Sequence, residues 1–90
     1  MANKKDIEML LKAITAIADI KECEDFLNDL CTTGELEEMS RRLRAAIMLS
    51  QGSQYIDVVS GTGLSTATIS RVSRSLKNGN GYRSILSKIG

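Results

Sequence analysis

Thr66, Ala67, Ser70, Arg71, Arg74 and Lys77 recur at intervals of one, three and four residues, so a helix would gather them on one face. Arginine and lysine are cations that pair with phosphate oxygens. Threonine, alanine and serine are small enough to let a backbone approach base edges, and they offer hydroxyls and methyl groups rather than bulk. A face with cations among small polar side chains suits the major groove of double-stranded DNA. Arg71, Arg74 and Lys77 are the expected phosphate contacts, while Thr66, Ala67 and Ser70, with Thr68 beside them, are expected near the bases. None of the latter is a long bidentate reader such as Arg, Asn or Gln. Sequence recognition would then rest on thymine methyl groups, water bridges and DNA shape.

Such a face needs a helix held outward by a second one, and the preceding residues provide it. Val58, Val59 and Thr62 form the inward side of a first helix, Gly63 stands where the chain must bend through positive φ, and Leu64 plugs the corner. Ser65 is a good N-cap for the second helix. Ile69, Val72 and Leu76 follow at spacings of three and four and pack that helix back on the first. The spacing predicts a helix-turn-helix over 53–78. Ser53 is read as the cap of its first helix, and Ser53, Gln54 and Tyr55 as further contacts to the DNA backbone. A helical hairpin with solvated arginines would share some of these features. The apolar spacing, the bend glycine, the serine cap and the basic outer face occurring together favour DNA.

Other chemistries fare worse. Gly61-Thr62-Gly63-Leu64-Ser65-Thr66 lacks the lysine of a phosphate-binding loop and follows no strand. The chain has no histidine, no nucleophile motif and no paired carboxylates in a recognisable pocket, so no enzyme is expected. Cys23 and Cys31 are eight positions apart in helical sequence. They read as reduced packing residues of a cytoplasmic protein, with no metal site and no cofactor. No apolar run is long enough to span a membrane. The start, Met1-Ala2-Asn3-Lys4-Lys5-Asp6, runs into charged helical sequence without a cleavage pattern, so no signal peptide is expected.

The net charge is only +1, but it is unevenly distributed. Residues 1–40 hold four lysines and ten carboxylates, net −6, whereas residues 41–90 hold eight Lys or Arg and one acid, Asp57, net +7. This division gives the chain one basic end suited to phosphates, and the acidic half also favours solubility.

With 90 residues, no proline and three aromatic residues, the chain reads as one all-α domain, 1–90, without repeats or a low-complexity linker. Residues 5–21 read as one helix whose polar positions, Glu8, Lys12, Thr15 and Asp19, form a narrow stripe. The remainder, from Ile7 to Ile20, is apolar. A helix apolar around most of its circumference must be covered on most sides, and a second copy of the chain can do what four or five short helices cannot. An obligate homodimer is therefore expected. A second helix over 22–31 would pack through Phe26, Leu27 and Leu30. Thr32 and Glu35 have capping-box spacing and open a long third helix over 33–51. Leu36, Met39, Leu43, Ala46, Ile47 and Ser50 trace its expected buried stripe, with Glu37–Arg41 and Glu38–Arg42 as surface pairs. Residues 1–52 are thus assigned to dimerisation. After the break at Lys77-Asn78-Gly79-Asn80-Gly81, Tyr82, Ile85, Leu86 and Ile89 mark a last helix within 79–90.

Six helices with the motif as the fourth and fifth resemble the Trp repressor family, and in particular its shorter Trp repressor-like branch of the YerC/YecD type. The specific likeness runs from Thr32 to about Ile89. It rests on Glu35, on Arg42-Leu43-Arg44, and on Ala67-Thr68-Ile69-Ser70-Arg71 followed by Ser75-Leu76-Lys77. The resemblance implies a six-helix fold, an intertwined homodimer and paired motifs reaching successive major grooves. It further implies a co-repressor pocket whose two arginines sandwich an indole ring. Those arginines correspond to Arg42 and Arg71, and Thr32 and Ser75 match a pocket threonine and serine. One position departs: the tryptophan-binding repressor has glycine after the second arginine, and this chain has Val72. A branched side chain there packs the two helices together and takes space that the ring needs. Asp29 and Cys31 also stand where that pocket has leucines.

The expectation is a sequence-specific transcriptional regulator that does not depend on tryptophan, its role as a repressor implied by the resemblance. Two alternatives stay open: a regulator answering to another small-molecule effector, and a helical adaptor that binds protein and keeps the motif as scaffold. A salt-dependent DNA shift separates the adaptor from the other two.

Overall fold

The computed structural model describes residues 3–90, which form six α-helices and, among the described residues, no strand. They are α1 (Lys4–Thr15), α2 (Ile20–Leu30), α3 (Thr33–Ser50), α4 (Tyr55–Thr62), α5 (Thr66–Asn78) and α6 (Gly81–Ile89). The reading of the N-terminus as leader-free includes Met1 and Ala2, which lie outside the described residues. The chain divides into two compact units, one ending at Thr33 and the other spanning Gly34–Gly90.

In the first unit, the single helix expected over 5–21 is two. Asn3 caps α1, its Oδ1 accepting from Lys5 N at 2.8 Å. The helix stops at Thr15, where the hydroxyl donates back to the Leu11 carbonyl at 2.9 Å, a local bond that competes with the helical ladder. The break comes from Asp19, which belongs to no polar stripe. Its carboxylate accepts from Glu22 N at 2.8 Å, and Glu22 reaches back to accept from Ala18 N at 2.9 Å. This reciprocal pair starts α2 as a capping box does, and the chain cannot be helical through its own N-cap. Neither helix buries a residue. Phe26 and Leu27 are half-buried and Leu30 is exposed. Cys23 and Cys31 are both free and half-buried.

The second unit has a core of Ala45 and Ala46 from α3, Val58 from α4, Leu64 from the turn, and Ile69 and Val72 from α5, with Met48, Leu49, Val59, Tyr82 and Leu86 packed around it. α3 begins at Thr33 as expected, and both Thr32 and Glu35 are engaged in interactions. Its inward stripe agrees with expectation at Ala46, with Leu36 and Ile47 half-buried, and differs elsewhere. Ala45 and Ala46 are fully buried, whereas Ser50 is exposed and Met39 and Leu43 remain 38% and 36% exposed. The helix carries two apolar stripes. The one through Ala45, Ala46 and Leu49 faces the core, where the two alanines join Val58 of α4 and Ile69 and Val72 of α5. The stripe through Met39 and Leu43 is left uncovered.

The ion pairs change with it. Arg41 pairs with Glu37 at 3.5 Å, as expected, but also takes Glu38 at 3.6 Å. The expected Glu38–Arg42 pair is not made, because Arg42 turns with the inward stripe. On α6, Tyr82 and Leu86 face the core and Ile85 and Ile89 do not. Among the described residues, no helix is long and apolar enough to cross a membrane.

Candidate nucleic-acid interface

The bend between α4 and α5 is built from backbone geometry and one buried hydroxyl. Gly63 ends α4 at φ 73°, and its N–H donates to the Val59 carbonyl at 2.9 Å. A side chain there would meet no neighbour, so the glycine is needed for its positive φ alone. Thr62 is buried, and its hydroxyl donates to the Val58 carbonyl at 2.6 Å and accepts from Leu64 N at 3.2 Å. One side chain thus satisfies a polar group on each side of the bend, leaving the Leu64 side chain free to enter the core. Ser65 caps α5 as expected, its Oγ accepting from Thr68 N at 3.2 Å.

Advancing about 100° per residue, α5 divides cleanly. Ile69, Val72 and Ser73 are buried and Leu76 is half-buried on one side. Thr66, Ala67, Ser70, Arg71, Arg74 and Lys77 are all exposed on the other. These six lie on one continuous surface, and no acidic residue sits in the first turn of α5 to oppose a phosphate. Thr68 lies at the border of the two sides. It is half-buried, and its hydroxyl accepts from Ser65 Oγ at 3.0 Å.

The first helix contributes differently from expectation. Gln54, not Ser53, is the N-cap of α4, and it makes no side-chain capping bond. Ser53 is half-buried in the preceding turn, where its N–H donates to the Met48 carbonyl at 3.0 Å. That turn passes through Gly52 at φ 88°, which sets the entry to α4 one residue later. Gln54 and Tyr55 are exposed.

Three of the four residues assigned to a ligand pocket come together. Arg42, Arg71 and Ser75 line a cleft of about 380 Å³, with Thr68, Glu38, Val72 and Tyr82 completing it. Arg42 Nε is itself shut from solvent and has no hydrogen-bond partner. Thr32 belongs to the first unit. Val72 is only 3% exposed and packs among the core residues, so its methyl groups brace α5 while the cleft persists beside it. Sequence reasoning missed Glu38 and Tyr82. Glu38 could have been found, since it precedes Arg42 by one helical turn. Tyr82 had no local signal, because only the packing of α6 against the core brings it there.

The whole of this arrangement has relatives. Residues 5–89 match the family described as Trp repressor protein. The uncharacterized protein YerC of Bacillus subtilis strain 168 is 43% identical over 76 residues, which cover 84% of this chain and 73% of YerC. A solved structure of a TrpR-like protein from Eubacterium eligens is 42% identical with a TM-score of 0.88, covering 98% of this chain and 92% of its own. Another, from Staphylococcus aureus and described as a candidate Trp repressor, is 41% identical with a TM-score of 0.86, covering 97% and 88%.

Proposed function

This chain belongs to the Trp repressor family, and from that premise we propose that it is a homodimeric, sequence-specific DNA-binding regulator, a repressor that does not require tryptophan. The family is one of DNA-binding regulators rather than enzymes. The observation that carries the reading is the outer face of α5, where three cations and three small residues share one exposed surface held rigid by a buried opposite side. Arg71, Arg74 and Lys77 take phosphates, with Ser53, Gln54 and Tyr55 adding contacts at the start of α4. Thr66, Ala67, Thr68 and Ser70 approach the bases. The place of action is the cytoplasm, with the DNA.

The homodimer is supported by α1, where Ile7, Met9, Leu10, Leu11 and Ile14 are all between 39% and 63% exposed. Five large apolar side chains on a helix with no buried residue call for a covering surface. Two recognition helices on a two-fold axis then meet two half-sites about one DNA turn apart.

The test is fluorescence anisotropy with random-sequence and genomic duplexes over a range of salt. Affinity should fall steeply with salt, and a subset of sequences should bind well above the random background. A salt-independent or absent shift on every duplex would leave the adaptor reading.

A further inference from the structure

The start of α5 offers little hydrogen-bonding capacity outward. Ser65 spends its hydroxyl inside the chain, where Oγ accepts from Thr68 N at 3.2 Å and donates to Thr68 Oγ1 at 3.0 Å. Thr68 is half-buried. Ahead of Arg71, the exposed side chains of the helix are Thr66, Ala67 and Ser70. They carry two hydroxyls and two methyl groups between them. Arg74 stands eight residues beyond Thr66, about 12 Å further along the axis. With the N-terminal residues of α5 over base edges, its guanidinium falls at the level of the backbone.

These side chains divide in what they can tell apart. A hydroxyl donates or accepts as required. It serves the O4 acceptor of thymine and the N4 donor of cytosine alike, so it does not separate them. A methyl group has only contact to offer. It gains from the C5-methyl group that thymine shows in the major groove and that unmodified cytosine lacks. The face therefore measures the presence of a C5-methyl group, not the base pair that bears it. 5-Methylcytosine carries the same group at the same ring position.

We propose that the methyl groups of Thr66 and Ala67 read C5-methyl groups in the major groove, so that α5 accepts 5-methylcytosine where it accepts thymine and rejects unmodified cytosine. This rests on the DNA-binding reading above and names the chemistry that the same face selects. The consequence is regulatory: methylation of one cytosine turns a poor site into a good one, with no ligand on the protein.

The test starts from the duplex that the full chain selects best from a random pool. Each thymine is replaced in turn by uracil, which pairs alike but lacks the methyl group, by cytosine opposite guanine, and by 5-methylcytosine opposite guanine. Fluorescence anisotropy gives the affinities. At one or more positions uracil should weaken binding about fourfold, the scale of one buried methyl group, and cytosine at least as much. 5-Methylcytosine should restore binding to within twofold of thymine. Thr66→Ser combined with Ala67→Gly removes both protein methyl groups and keeps a hydroxyl. In that variant the ratio of affinities for thymine and uracil should fall to about one, whereas a loosened helix would lower both affinities and leave the ratio unmoved. Indifference to uracil at every thymine, 5-methylcytosine binding no better than cytosine, or a thymine preference that survives the double variant overturns the proposal. A chain that selects a sequence but gives any of these results keeps its proposed function and loses this reading. One that selects no sequence above the random background loses both.

Discussion

Arg42 of α3 and Arg71 of α5 wall the same cleft, although they are far apart in the chain. Neither is committed to an ion pair among the described residues. Glu38, which could have neutralised Arg42, turns to Arg41 instead. The unit therefore presents two guanidiniums without an ion-pair partner along one cleft beside α5. Whatever enters that space meets the same helix whose outer face carries Thr66, Ser70, Arg71 and Arg74.

The bend before that helix should be sensitive to two small changes. Gly63→Ala places a side chain at φ 73° with open space around it, so its cost is backbone strain alone, about 1–2 kcal/mol. Thr62→Val keeps the shape but removes the hydroxyl that serves Val58 and Leu64, leaving a buried amide short of its acceptor at a cost of about 1–3 kcal/mol. Each should lower the melting temperature by several degrees, about 4–8 °C per kcal/mol for a domain of this size. Thermal melts followed by circular dichroism decide it, and an unchanged melting temperature for both would contradict the account of the turn.

The outer face of α5 should divide by chemistry. Arg71→Ala and Lys77→Ala should weaken binding to every DNA sequence and flatten the salt dependence, each by roughly one phosphate. Substitutions at Thr66 or Ser70 should instead change which sequences are preferred. Selection from random duplexes with each variant reads both effects. Equal losses on all sites from both groups would mean that the helix lies differently in the groove.

The motif was legible because its signals are local. Gly63, Ser65 and the Ile69–Val72–Leu76 spacing each act within a few residues of themselves. The division of 5–21 into α1 and α2 was also local, but Asp19 fits two patterns: a polar stripe at helical spacing and an N-cap with Glu22 three residues on. The choice of inward stripe on α3 was legible only in part: Ala46 was expected and is buried, while Met39, Leu43 and Ser50 were expected and are exposed. Its Met39–Leu43 and Ala45–Ala46 faces both satisfy the helical period, and only the packing of the α4 and α5 core residues selects the alanines. In the cleft, Arg42, Arg71 and Ser75 were found through likeness to a family, whereas Tyr82 depends on how α6 folds back.

The exposed side of α1 should prove to be an interface. Leu11→Glu or Ile14→Glu puts a charge among side chains that an obligate dimer would bury, and such interfaces commonly bury more than about 2,000 Å². Sedimentation of the unaltered chain at micromolar concentration should show a dimer that separates only on unfolding, and the variants should be unfolded or aggregated. A folded monomer of the unaltered chain would remove the basis for the paired recognition helices.

DNA affinity should be the same with and without L-tryptophan. In the resembled repressor a ring between two arginines props the recognition helix, and a glycine leaves room for it. Here Val72 stands at that position, 3% exposed and packed with Ile69, Val58 and the α3 alanines. The helix is thus braced by the chain's own core, and on the proposed reading its binding-competent position should not wait for a ligand. A ligand shifts a population only by its difference in affinity for the two states, and a helix already in place leaves little to shift. Calorimetry should show no heat with tryptophan, and a tenfold gain in DNA affinity on adding it, about 1.4 kcal/mol, would defeat the idea. Val72→Gly is the companion test. It removes a buried side chain and adds a helical glycine, at a combined cost of roughly 3 kcal/mol. It should loosen α5 and weaken DNA binding. If that variant bound DNA tightly only when tryptophan was added, Val72 would be a plug in a working pocket rather than a brace.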